Sequence, residues 1–311
     1  MLSNLATRYQ YLRAELRRSE ARMAYVVLLP AIVPLFVFIL IPVLGAIVLS
    51  LTNFDALRLD IQWIGLGNYI EAFKSDIFHT TIRNTLKYTV LYVPTVMLVG
   101  FLTAILLNRR IRGISFLRGA FYLPVLTSTV AMGIAWVWLF QPQVGLVSMI
   151  VKFFGGIPRD WLGRPDTAMY AVVGVAVWKG FGNRMLIYLA GLQGVPESLY
   201  EAAKIDGAGR WHLLRHITWP LLKPVTFYLF ITGIIGSLQV LALIMVMTFN
   251  NSTQTAGGPA FSTTSIAHQI YLNAFKFNRM GYASAMAVIL FSAISILTYL
   301  NWKFFSSAIE Y

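Results

Sequence analysis

Glu201-Ala202-Ala203-Lys204-Ile205-Asp206-Gly207 stands between two long apolar stretches, near 168–191 and 221–248. Each stretch is long enough to cross a bilayer as a helix, which takes about 20 residues. The insert is short, charged and built of helix formers. A polar loop of this kind in an oily chain offers a soluble body a place to push.

Composition points the same way. The 311 residues are 58% hydrophobic and only 12% charged, where a soluble globular chain carries about 25% charged residues. The net charge of +13 is concentrated in alternate loops, so membrane topology explains it better than nucleic-acid binding does. There is no cysteine, which excludes disulfides, thiol catalysis and thiolate metal sites. A polar segment with Arg8, Arg13, Arg17, Arg18 and Arg22 precedes the first apolar run. That run is longer than the core of a signal peptide and lacks a clear cleavage site.

Six stretches predict membrane-crossing helices, at about 24–50, 84–108, 116–140, 168–191, 221–248 and 282–304. The fourth is interrupted by Lys179, Asn183 and Arg184. Fourteen Lys and Arg fall on one side: five in the amino-terminal tail, four at 109–118, four at 192–223, and Lys303. The opposite loops hold seven, namely Arg58, Lys74, Lys152, Arg159, Arg164, Lys276 and Arg279. The bias places both termini and the 192–220 loop in the cytoplasm. Three domain ranges follow: a cytoplasmic segment 1–23, a six-helix membrane domain 24–304 containing the 192–220 loop, and a cytoplasmic tail 305–311.

Within the loop, Pro196 is placed to open a helix at its first position. Glu197 and Glu201 suit the amino-terminal half of that helix. Ala202 and Ala203 keep its surface small, and Gly207 ends or bends it. A second short helix is expected over Trp211–Ile217. Tyr200, Trp211 and Leu214 are the apolar anchors available to a partner. An ordinary amphipathic loop lying on lipid fits the same residues.

The pattern Glu201-Ala202-Ala203, Gly207, Ile217 and Pro220 resembles the EAA loop of binding-protein-dependent ABC transporter permeases. Trp219 departs from the usual Leu before that proline. Leu66-Gly67-Asn68-Tyr69, Arg83-Asn84-Thr85 and Gln141-Pro142-Gln143-Val144-Gly145-Leu146 extend the likeness to the sugar-permease branch, with Ser148 departing from the usual Asn. Gly257-Gly258-Pro259, Ile270-Tyr271, Ala274-Phe275 and Gly281-Tyr282-Ala283-Ser284-Ala285 carry it to the last span. The nearest kind of relative is the larger-partner permease of maltose or glycerol-3-phosphate importers.

The resemblance implies an all-α polytopic membrane protein with six transmembrane helices of the type I ABC importer permease fold, in a bacterial or archaeal inner membrane. It implies a second homologous permease, a cytoplasmic ABC ATPase dimer and an extracytoplasmic substrate-binding protein as partners, with lipid around the helices and no nucleic acid. Glu201, Ala202, Ala203, Gly207 and Trp211 would couple to the ATPase. This chain would be non-catalytic and hold no cofactor, with ATP and Mg in the partner subunits. No Gly-x-x-x-x-Gly-Lys-Ser/Thr loop occurs in it.

The solute path is sought among polar groups inside spans. Lys179 and Arg184 lie five residues apart, about 140° around a helix, so they need not line one pore. Each either meets a sugar-like solute, pairs within the bundle, or snorkels to headgroups. Asn183 suits sugar hydroxyls, and Trp178 either stacks on a sugar ring or packs internally. In the fifth span Gln239 is expected to face the path, and Ser237 either does so or bonds its own helix. His212 and His216 share a helix face, but two histidines make a poor zinc site. The alternative is a self-contained secondary carrier. It would need an ion-coupling group, and the predicted spans contain no Asp or Glu.

Overall fold

A computed structural model describes residues 23–57, 61–109, 112–249 and 257–305. The cytoplasmic segment 1–23 and the tail 305–311 therefore lie almost wholly outside the described residues. Within them the chain is helical in every predicted span. Helix α1 covers Met23–Leu49, with α2 at Gly67–Lys74 and α3 at Asp76–Leu107. Two half-helices follow, α4 at Ile114–Leu126 and α5 at Thr129–Leu139, and then α6 at Leu146–Phe153. The long α7, Ala168–Gln193, leads through α8, Glu197–Ile205, into α9, Arg210–Leu221. The chain closes with α10 at Lys223–Leu238, α11 at Ala242–Met247, α12 at Ile266–Tyr271 and α13 at Met280–Phe305.

Three expectations change. The span at 116–140 is broken at Thr127-Ser128, where α4 and α5 meet at 94°. Pro124 sits at the end of α4 and removes an amide donor there, and the Thr127 hydroxyl bonds the Pro124 carbonyl at 2.7 Å. The span at 221–248 is likewise interrupted, at residues 239–241 between α10 and α11. The second span starts eight residues earlier than its apolar run, because Ser75 caps α3 through the Phe78 amide.

Helix α7 is the axis of the bundle. It packs along α3, against α4, and on α10. Its 26 residues make about 39 Å, enough to span hydrocarbon, although its polar residues keep it from reading as a lipid-facing helix. Met169, Val172, Val175, Met185 and Leu189 are buried along it. The fit depends on glycine. A methyl group at Gly182 meets the Phe121 carbonyl oxygen of α4, and one at Gly100 of α3 meets Arg184 Cβ at 2.7 Å. Small residues at such crossings let helices approach where lipid supplies no hydrophobic drive. Helix α1 stays on the outside, with none of its apolar window buried, and touches the body along α13.

Several residues of the family-like motifs act as ties between elements. Asn68 donates to the carbonyls of Ser50 at 2.8 Å and Thr52 at 2.7 Å. Gly281 brings α13 against Thr52 and donates its amide to the Phe54 carbonyl at 3.0 Å. Asn84 donates to the Phe261 carbonyl at 2.7 Å, and the Ile266 amide donates to Thr85 at 3.0 Å. The Gly257-Gly258-Pro259 turn forms as expected, with positive φ at both glycines. Beside it His268 is fully buried, with Nδ1 3.0 Å from the Thr264 hydroxyl and no partner for Nε2.

Two outcomes follow. Gly182→Ala is expected to lower stability by about 1–3 kcal/mol through overpacking, seen as a lower midpoint in thermal unfolding of the detergent-solubilised protein. Gly174→Ala, on the same helix with open space around its Cβ, is the control and leaves the midpoint in place. Burial pulls the His268 imidazole from 6.5 down to about 4. Between those values the unfolded chain binds a proton that the native site refuses, so stability falls as pH drops through that window. His268→Gln removes this part of the pH dependence. Parallel pH–stability curves for the two proteins would refute the assignment.

Candidate functional site

Two features converge on α7: a cleft at its middle and an elbow at its end. The cleft encloses about 530 Å3 and is bounded by α3, the α4–α5 break, α7 and the α10–α11 break. Irregular backbone at membrane depth is tolerated where it lines a cavity, and both interruptions do so here. Lys179, Asn183, Arg184 and Gln239 all line it, with Tyr88, Tyr92, Val125 and Thr129. Lys179 and Arg184 are thus brought together despite their angular separation. The cleft wraps a wide arc of α7, and both stems are long.

Lys179 donates from Nζ to the Thr127 carbonyl at 2.6 Å, across the broken third span. Arg184 holds its guanidinium carbon 6.0 Å from the Tyr92 ring centre, and its buried Nε has no hydrogen-bond partner. Tyr88 and Tyr92 stack at 5.4 Å. None of the lining residues is acidic.

Two candidates lie elsewhere. Trp178 is outside the cleft lining and meets Trp136 edge-on at 5.5 Å. Ser237 is buried, donating to Thr89 of α3 at 2.9 Å and to its own helix at the Ile234 carbonyl at 2.8 Å. It ties α10 to α3. Sequence reading did not find Tyr88, Tyr92 or the Thr127 carbonyl. The available signal was Pro124 followed by Thr127, Ser128 and Thr129, a run of hydroxyls placed to satisfy a broken helix.

The elbow is α8, a turn, and α9. Pro196 is the residue before α8 rather than its first, a shift of one position. Gly207 has φ +81°. The Ala208 amide bonds the Ala203 carbonyl at 2.9 Å and the Gly207 amide bonds that of Lys204 at 3.0 Å. This paired closure is the Schellman pattern, which places glycine in the left-handed region. Helix α9 runs longer than the Trp211–Ile217 expected, through Leu221, and meets α10 at 63°. Its His212 and His216 rings stack at 4.0 Å.

Glu201, Ala202 and Trp211 are exposed, and Ala203 is half-buried. Trp211 is 71% and Ile205 86% exposed. Ala203, Asp206, Gly207, Ala208, Gly209, His212 and Ile217 line an open hollow of about 450 Å3. Tyr200 is turned inward, its hydroxyl 3.0 Å from that of Thr218, and Leu214 packs toward the core. Tyr200 thus ties α8 to α9 and Leu214 holds the elbow to the bundle, instead of offering themselves outward. Trp219 rests edge-on against Phe101 at 5.5 Å, filling the membrane entry in place of the smaller leucine.

Residues 96–310 match the family described as binding-protein-dependent transport system inner membrane component. The chain is 32% identical to a probable ABC transporter permease, PH1215, of Pyrococcus horikoshii, over 92% of this chain and 98% of the relative. It is 32% identical to the trehalose/maltose transport system permease MalF of Thermococcus litoralis, over 94% and 96%. It is 28% identical to the sn-glycerol-3-phosphate transport system permease UgpA of Salmonella typhi, over 93% and 96%. Its fold is similar to that of a chain in the crystal structure of a bacterial alginate ABC transporter in complex with an alginate pentasaccharide-bound periplasmic protein. That match has a TM-score of 0.80 at 22% identity, covering 92% of this chain and 95% of the other.

The Gly207 geometry carries its own test. Gly207→Val has room for its side chain but must hold the left-handed backbone, at a penalty of about 1–2 kcal/mol. Limited proteolysis is expected to cut faster within 196–217, while thermal unfolding of the membrane bundle stays unchanged.

Proposed function

Since this chain belongs to the family of binding-protein-dependent transport system inner membrane components, we propose that it is the permease subunit of an ATP-driven importer. A sugar, oligosaccharide or sugar derivative arrives on an extracytoplasmic binding protein and crosses between this chain and a second permease. Relatives named for trehalose/maltose and for sn-glycerol-3-phosphate support a polyhydroxylated solute.

The observation that carries the coupling half of this reading is the exposed elbow on α7. Glu201 presents a charge, and Ala202 and Ala203 allow close approach. Gly207 sets the bend, and Trp211 projects an apolar anchor. An ATPase groove closing on the elbow would pull α7 at one end and α10 at the other. Those helices carry Lys179, Asn183, Arg184 and Gln239, which we assign to the path. Trp178 and Ser237 support it from behind. The Lys and Arg bias puts the elbow, both termini, the 1–23 segment and the 305–311 tail in the cytoplasm. ATP and Mg act in the ATPases, and this chain performs no chemistry. The secondary-carrier alternative finds no support, since the cleft lining offers no acidic group for proton or cation coupling.

Affinity purification of the tagged chain from its own membranes is expected to yield a second permease and an ATPase in fixed proportion. Deleting 196–217 is expected to release the ATPase while the chain still inserts. An ATPase retained by that deletion variant would overturn the coupling role.

A further inference from the structure

The cleft around α7 contains an electrostatic imbalance that a neutral sugar leaves unanswered. Lys179 and Arg184 both line it, and none of the other lining residues is acidic. Among the described residues, the ion pairs Arg164–Asp166 and Arg279–Glu71 both lie outside the cleft. Lys179 is held by a carbonyl, which satisfies one of its donors and leaves its charge. Arg184 has the Tyr92 ring at 6.0 Å and an orphaned, buried Nε. A ring face at that distance attracts a guanidinium weakly and does not neutralise it.

Two cations lining one cleft within a membrane domain carry a desolvation penalty that no acidic neighbour in the lining offsets. Neutral amides would bind hydroxyls equally well without that penalty. The arrangement makes physical sense if the occupant supplies the missing negative charge. A guanidinium fork and an ammonium are suited to a carboxylate or a phosphate. Asn183 and Gln239, which also line the cleft, remain for hydroxyls. The volume, about 530 Å3, falls within the range of small-molecule sites, roughly 300–1,000 Å3.

We propose that the cleft is a subsite selective for an anionic saccharide, with Arg184 as the residue that reads the charge and Lys179 holding the field positive from the α4–α5 break. This rests on the reading of the chain as a saccharide permease. It narrows the solute to one bearing a carboxylate or a phosphate. The same two cations repel positively charged solutes, so selection acts by exclusion as well as attraction.

The test uses the intact importer, this chain with its second permease and ATPases, in lipid nanodiscs without the binding protein, so that selection upstream does not intervene. Equilibrium binding is measured for four probes: digalacturonate, its carboxyl-reduced neutral counterpart, glucose 6-phosphate and glucose. At least one anion is expected to bind about ten-fold more tightly than its neutral parent, a difference of about 1.4 kcal/mol. Whether the uronate or the phosphate shows it identifies the group. The preference should shrink as salt is raised.

Arg184→Met keeps the stem that packs on Gly100 and deletes the charge, so the two affinities should become equal. Arg184→Lys should restore part of the difference. If Arg184→Met fails to assemble with the ATPases, the salt dependence of the native complex decides. Equal binding of each anion and its parent, no binding of any probe, or a preference that survives Arg184→Met or is indifferent to salt, would overturn the inference. None of these outcomes touches the importer reading, which stands or falls on ATPase co-purification.

Discussion

A membrane interior offers no water to an unpaired amide, carbonyl or charge. The rest of this structure depends on how α7 meets that constraint. It carries a lysine, an asparagine and an arginine at mid-length, and it is surrounded so that all three open onto one cleft. Glycines at positions 100 and 182 bring α3 and α4 close enough to seal its flanks. The two interrupted spans turn their irregular backbone toward the same space. A Thr127 carbonyl freed by one break meets the Lys179 ammonium, so the helix break and the half-buried lysine each relieve the other.

The same helix joins cleft to elbow. Its carboxy-terminal end runs into α8, and α9 returns the chain to α10, whose far end supplies Gln239. Leu222 at the return is fully buried in a cluster with Met185, Tyr188 and Leu192 of α7. Packed side chains therefore join the return of the elbow to α7, one wall of the cleft. Tyr200 and Thr218 close the elbow on itself.

Legibility in the sequence followed periodicity and punctuation. Helices at the six predicted stretches were readable because long apolar runs admit few alternatives in lipid. Among the described residues three are long and apolar enough to cross as they stand and two bent pairs pass as well, and the second began eight residues early where Ser75 caps it. The elbow was readable because proline, alanine and glycine each have a local conformational meaning. The broken third span was not anticipated. Thr127 and Ser128 are short and uncharged, so hydropathy passes over them, and the group that takes the freed Thr127 carbonyl, Lys179, lies 52 residues later. The alternatives left open for Ser237 and Trp178 have a related origin: a polar or aromatic side chain inside a span looks the same from sequence whether it faces a cleft or a neighbouring helix. The shared cleft of Lys179 and Arg184 contradicts simple angular counting, because cavities are shaped by neighbours and not by one helix.

The 94° corner in the third span bears on how this chain is made. Its arms cover about 20 Å and about 16 Å, and neither reaches across the roughly 30 Å of hydrocarbon. One arm leans on α7, and the other seats against α11, where Gly133 lies close to Val246. Both supports emerge from the ribosome after the corner itself. The packing of the corner is therefore completed only once those later helices are in place.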